Sequence, residues 1–301
     1  MPRRYGGGTA VARLIVVTHE YDRLVSRGTK WPVRRSSYLL FNALREFEKL
    51  GHSWRVSAGP QPVDGDAALL HVDATVVDPA YLALQSRYER TINFATGDIS
   101  KRKVSSARLM PGDVWGGPVI VKGNLNSQGA MEAKHNARAL AAGRPLPHPD
   151  LPHAEPYRIL DRVEDVAPAT WDNRDLVVER FLPERDERGG YAVRTWVFMG
   201  AREWCNRELC ADPIVKGAKV VRSDPVDVPR ELRAQRERLN FDYGKFDFVI
   251  HAGVPILLDA NRTPGSAPPV IGLTRDAARN LAEGLDEMIR VVDGSRAQRH
   301  G

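Results

Sequence analysis

Apolar residues recur along this chain at two spacings. Over residues 36–50, Leu39, Leu40, Ala43, Leu44, Phe47 and Leu50 return every three or four positions, and Gly51 follows. That period lays one apolar stripe along an α-helix, and the glycine is a natural terminator. Short apolar runs over residues 14–17, 54–56, 67–72 and 91–94 predict strands around it, and Pro79 opens a short helix reaching Tyr88. Strands alternating with helices predict a small, mostly parallel sheet. Further helices are predicted over residues 100–109, 130–142, 229–239 (mostly charged and exposed) and 274–291, with a polar tail after that. Residues 143–156 hold five prolines, too many for a helix, and predict a surface excursion in which His148 and His153 stand exposed.

The second spacing appears near the end of the chain. Residues 246–250 are apolar except for Asp247, and a second run, residues 256–258, ends at Asp259. Between them lies His251-Ala252-Gly253-Val254-Pro255, a turn composition, so the pair predicts an antiparallel hairpin. Side chains alternate along a strand, which puts Asp259 and Asn261 on one face with Ala260 opposite. Asp247 can point to that same face from the neighbouring strand. An acid inside an apolar strand is costly to bury without a partner. Three oxygen donors on rigid strands suit a hard cation such as Mg²⁺, which commonly arrives with nucleotide phosphates.

Composition narrows the classes. At 301 residues the chain exceeds what one compact domain usually holds. With 42% hydrophobic and 27% charged residues it reads as an ordinary soluble globular protein, and no apolar run approaches membrane-helix length. The first residues read as a flexible tail and first strand rather than a signal peptide, since the apolar stretch is short and has no cleavage site. Cys205 and Cys210 fit no zinc or redox spacing and suggest a reducing cytoplasm. The net charge of +6 comes from scattered Lys and Arg. With no aromatic–basic repeat or recognisable module, nucleic acid is not the expected partner. No internal repeat is evident, and a homodimer is the default assembly.

The hairpin also carries a resemblance. Lys245-Phe246-Asp247, followed by Asp259-Ala260-Asn261-Arg262-Thr263-Pro264-Gly265, resembles the metal-binding strands of the ATP-grasp superfamily of carboxylate–amine ligases. There Arg/Lys-x-Asp precedes Glu/Asp-x-Asn-x-x-Pro-Gly. Gly117-Pro118-Val119-Ile120-Val121-Lys122 resembles the strand whose lysine meets nucleotide phosphates. The segment from Asp175 through Glu179-Arg180-Phe181-Leu182 resembles the hinge beside the adenine. The segment Tyr191-Ala192-Val193-Arg194 resembles the next core strand, with its phosphate-facing arginine. The matches come in the family's order over about residues 90–290, with spacing nearest a bacterial branch. Three features depart from the pattern: Asp259 where Glu is usual, Lys245 where many relatives have Arg, and a glycine-poor loop from Gly123 to Ala130.

The resemblance implies an α/β (α+β) chain with the ATP-grasp fold. An N-terminal parallel-sheet pre-grasp domain would span 1–98, a lid subdomain 99–182, and a C-terminal subdomain with the metal site 183–301. The two α+β subdomains would clasp ATP. Lys122 and Lys103 or Lys101 would face the α- and β-phosphates. Glu179, with backbone groups of Arg180, Phe181 and Leu182, would frame the adenine. Glu184, Asp186 or Glu187 would bind the ribose. Asp247, Asp259 and Asn261 would ligate Mg²⁺, with Mn²⁺ as an alternative. Arg194 and Lys245 would surround the γ-phosphate, and Arg262 and Arg207 are candidate clamps for a substrate carboxylate. The implied reaction joins a small-molecule or peptide carboxylate to an amine through an acyl phosphate. The alternatives are a kinase on the same scaffold and a non-catalytic nucleotide-binding module.

Overall fold

The strand Arg13–Thr18 is buried at every position after its first residue, as befits a central parallel strand covered on both faces. It pairs with Ser53–Ala58 on one side and Ala67–Leu70 on the other, and Arg90–Ile92 completes a four-stranded, all-parallel sheet. This computed structural model describes residues 12–22, 24, 26–27, 34–35, 38–214, 219–265 and 275–290. The two expected tails and the predicted helix ends at Ser36, Thr274 and Val291 lie outside the described residues.

The predicted amphipathic helix runs over Leu39–Lys49 and buries Leu39, Leu40, Ala43, Leu44 and Phe47. It packs on the helix Arg275–Arg290 from the far end of the chain. Their apolar faces meet the strands at Leu14, Val16, Val197 and Met199 in one core. Gly284 permits the approach, because a Cβ there would lie 2.2 Å from the Met199 carbonyl oxygen.

Two antiparallel sheets follow. The smaller has the order Arg158–Leu160, Val119–Gly123, Leu176–Arg180, with the helix Ala130–Ala141 after its central strand. The larger has the order Arg222–Pro225, Arg202–Cys210, Tyr191–Met199, Tyr243–His251, Val254–Asn261, and the short strand Glu184–Arg185 pairs with Tyr191–Met199. One of its faces is an aromatic core of Trp196, Phe198, Phe246 and Phe248.

Two predicted helices come out differently. The one expected over residues 79–88 splits into an α-turn, Pro79–Leu82, and a 3-10 turn, Ala83–Arg87. The one expected over residues 100–109 lasts a single turn, Lys101–Val104. There the chain leaves the helix to bond across the molecule: Ser106 N donates to Leu257 O at 2.8 Å and Leu109 N to Val178 O at 2.9 Å. Tertiary pairing overrides the local preference. Residues 143–156 contain neither helix nor strand.

Candidate active site

The hairpin register places its polar residues on one face. Lys245 lies opposite Asn261 and Asp247 opposite Asp259, while Phe246 and Ala260 face the aromatic core. A bulge after Asp247 shifts the ladder beyond it. Thr195 lies opposite Asp247 on the neighbouring strand, and its Oγ1 donates to Asp247 Oδ1 at 3.0 Å. Lys245 Nζ lies 2.8 Å from Asp247 Oδ2. Burial alone would lower the Lys245 pKa, but Asp247 more than offsets it, so the ammonium stays charged.

This face is one wall of a cavity of about 230 Å³. Its other wall comes from the smaller sheet. Lys122 Nζ meets Glu179 Oε2 at 2.7 Å, and Glu179 is 1% exposed. Again burial pushes the lysine down, and its carboxylate partner raises it further. Lys101 enters from the one-turn helix: its Nζ donates to Leu125 O at 2.8 Å and lies 3.7 Å from Asp259 Oδ1. Three lysines therefore surround two aspartates at one end. The lining also includes Ile120, Phe181, Leu182, Val249 and Leu258, apolar surface suited to a planar ring.

Three carboxylates of this cavity each keep a buried oxygen without a hydrogen-bond partner: Glu179 Oε1, Glu208 Oε1 and Asp259 Oδ1. No other carboxylate oxygen among the described residues is in that condition. Unpaired buried acceptors cost stability, and a site that receives cations and donors from a ligand accounts for tolerating them. Asp247 and Asp259 face each other with an orphan oxygen between lysines, a pair that fits a hard divalent cation, whereas Asn261, next on that face, is not among the residues lining the cavity. Asn261 Oδ1 accepts from Thr263 N at 2.8 Å and Thr263 Oγ1 at 3.1 Å.

No family model matches the sequence, and no curated protein matches it. Solved structures do. The D-alanine–D-alanine ligase of Bacillus anthracis matches 93% of this chain and 97% of its own, with a TM-score of 0.50 at 12% identity. The same ligase complexed with ATP gives the same figures. A RimK domain ATP-grasp protein of Sphaerobacter thermophilus matches over 91% and 99%, with a TM-score of 0.49 at 15% identity. The chain has the ATP-grasp fold.

Within the ATP-grasp fold, Lys122, Glu179, Arg180, Phe181, Leu182, Lys245, Asp247 and Asp259 line one cavity. Other expected residues do not. Arg194 sits at the opposite parity from Thr195, so it leaves the polar face and forks onto Glu184 at 2.9 and 3.1 Å. Arg207 joins the same carboxylate at 2.9 Å and binds Asp186 at 2.6 Å. In this network Asp186 and Arg207 are paired, and neither lines the cavity. Lys103 is exposed, and Lys101 takes the inward position. Arg262 is 0% exposed and donates to the carbonyls of Val72, Ala74, Thr75 and Thr96. Burial lowers its pKa to about 10. It ties the parallel-sheet segment to the hairpin, and at 0% exposure it lies outside the cavity lining.

The hinge is narrower than expected. The Arg180 amide donates to Ala107 O at 2.8 Å and the Phe181 amide to Pro118 O at 2.9 Å, so of the three only the Leu182 amide has no backbone partner among the described residues. The glycine-poor loop is tied down. Asn126 N donates to Thr75 Oγ1 at 2.9 Å, Lys101 N donates to Asn124 O, and Ser127 and Gln128 adopt positive φ.

Glu208 was not anticipated. It lines the cavity at 3% exposure, and burial, reinforced by the Asp247 charge and opposed by Lys245, pushes its pKa up to about 7. Strand alternation alone pairs it with Asn206. Only the register, which sets Glu208 opposite Val193, turns it towards the cavity.

Proposed function

We propose that this protein is an ATP-dependent ligase that joins a carboxylate to an amine. The observation that carries the reading is the cavity in which Lys101, Lys122 and Lys245 meet Asp247 and Asp259, with apolar side chains completing its lining.

ATP would lie with its ring between Ile120 and Leu258 and its phosphates among the three lysines. Lys101 and Lys122 neutralise phosphate oxygens as point charges, and Lys245 does so beside the γ-phosphate. Asp247, Asp259 and Asn261 would hold Mg²⁺ (or Mn²⁺), which when bound offsets the charge of the transferring phosphoryl group. A substrate carboxylate oxygen attacks the γ-phosphorus, the bond to the bridging oxygen breaks, and ADP leaves an acyl phosphate. The amine nitrogen then attacks the acyl carbon and phosphate departs. Glu208 Oε1, on a carboxyl raised to about 7, is suited to take the proton the amine sheds. Catalysis is positioning and charge stabilisation, with no covalent protein intermediate. A soluble, cytoplasmic homodimer belongs to this reading; among the described residues no helix is long and apolar enough to cross a membrane.

The test incubates the protein with Mg-ATP and pooled amino acids, short peptides and carboxylates. The expected result is ADP and phosphate release with a product heavier by condensation. A stable phosphorylated product would establish the kinase alternative instead, and nucleotide binding without turnover the non-catalytic one.

A further inference from the structure

We infer that His135, His148 and His19 form a site for a divalent transition-metal ion of the zinc type, separate from the aspartate wall and independent of the ligase reading. Among the described residues this is the one group of three His, Cys, Asp or Glu side chains whose ligand atoms all lie within 4.8 Å of one another. The three come from separate parts of the fold. His19 follows the first strand, His135 lies on the helix Ala130–Ala141, and His148 lies in the proline-rich excursion.

The protonation pattern is set by the surroundings. Asp22 Oδ1 sits 2.6 Å from His135 Nε2, while Asp22 Oδ2 accepts from the His19 and Asp73 amides. With Nε2–H committed to this buried carboxylate, His135 Nδ1 presents a lone pair. It points at His148 Nε2, 3.3 Å away. That is long for a good N–H···N bond. It equals the span between two imidazole nitrogens each about 2.05 Å from one tetrahedral ion, roughly 3.3 Å. A carboxylate behind a ligating histidine is the usual outer-shell arrangement of such sites, and imidazole favours zinc-like ions over Mg²⁺.

His148 is held in place although its sequence context is loop. Asn136 Nδ2 donates to His148 O at 2.6 Å, and His148 N donates to Asn136 Oδ1 at 2.9 Å. His19 stacks on His135 with ring centres 4.0 Å apart and planes 4° apart. Two parallel stacked rings cannot share an ion lying in both their planes. His19 therefore joins by turning its ring, giving up the 3.1 Å bond that its Nδ1 accepts from Tyr21 N, and water fills the fourth position. The bound ion would fasten the helix and the excursion to the end of the first strand.

The experiment strips the full-length protein with a chelator and titrates it with Zn²⁺ by calorimetry and with Co²⁺ by visible absorption. The expected result is one tight equivalent, with the intense bands of tetrahedral Co²⁺ on nitrogen donors. Asp259→Asn keeps it, His148→Ala loses it, and Asp22→Asn weakens it by about 10–100-fold. His148 is half-buried and lies outside any helix or strand, so His148→Ala should fold; its unfolding midpoint in chelator confirms this. Should it fail to fold, His148→Gln carries the same comparison. No saturable equivalent, equal binding by the folded His148 variant, or loss of the ion in Asp259→Asn would each overturn the site.

Discussion

The cavity wall and the seam between the parallel-sheet segment and the hairpin are built from similar residues and differ in how those residues are satisfied. At the seam, Arg262 gives its donors to four carbonyls, Asn93 Oδ1 accepts from the amides of Asp242 and Tyr243, and Asp73 accepts from Tyr38 and Thr263. At the wall, Glu179, Glu208 and Asp259 each leave an oxygen unmet. Buried polar groups with their partners hold a structure together, and unmet ones cost stability. Charge and burial alone do not separate the two regions; what separates them is the kind of atom left unmet, carboxylate oxygens at the wall against the His71 ring nitrogen and the Tyr243 hydroxyl at the seam.

The largest expected effect breaks the wall without touching the seam. Asp259→Asn removes a carboxylate whose Oδ1 has no hydrogen-bond partner, so turnover should fall by about a thousandfold, comparable to losing a preorganised electrostatic contact. Its unfolding midpoint should not fall. Phosphate release and thermal unfolding on the same preparation check both halves. Activity within a few-fold of wild type would mean Asp259 is not part of the site.

Arg262→Met does the reverse. Four carbonyls lose their donor in a fully buried place, and the cost should be about 3 kcal/mol, as when one side of a buried polar network is removed. Denaturant unfolding measures it. A loss under about 0.5 kcal/mol, the range of a surface substitution, would contradict the pinning role.

The seam is also pH-sensitive. His71 is 1% exposed, its Nε2 lacks a partner, and burial lowers its pKa from 6.5 to about 4. Between those values the unfolded chain binds a proton that the folded one refuses, so stability falls as pH drops through that window and is complete above it. From pH 7 to pH 5 the loss should be about 2 kcal/mol for this residue. His71→Phe should flatten the unfolding profile by that share; an unchanged slope would sink the assignment.

These two regions were unequally legible in the sequence. Alternation along residues 245–261 was enough to gather Asp247, Asp259 and Asn261 on one face, because a strand's period is local. Which face Arg194 takes depends on the pairing of Thr195 with Asp247 across 52 residues, and no local pattern carries that. Glu208 stayed hidden for the same reason. Arg262 follows a metal-ligand motif and so suggested a substrate contact, yet its partners lie 166 to 190 residues away, around the parallel sheet. His148 read as exposed because prolines surround it; Asn136, twelve residues earlier on a helix, draws it inward.

The smallest effect sharpens the comparison most, because it concerns the residue whose expected role and observed place differ most plainly. Arg194→Met removes a guanidinium that resemblance assigns to phosphate. Among the described residues it binds only Glu184, on the face turned away from the lysines. Glu184 would still accept from Arg207 Nε at 2.9 Å and from the Ile250 amide at 2.9 Å. Its charge is therefore not abandoned, and the cost should stay near 1 kcal/mol, that of a partly exposed pair. ATP affinity, measured by calorimetry with Mg²⁺, should remain within about twofold, since no contact made in the cavity is lost. Lys122→Met is the control, because Lys122 lines the cavity and should lose most of the binding. If Arg194→Met weakens ATP as much as that control does, the arginine swings into the cavity when nucleotide arrives, and the closed, fully paired face belongs to the empty protein alone.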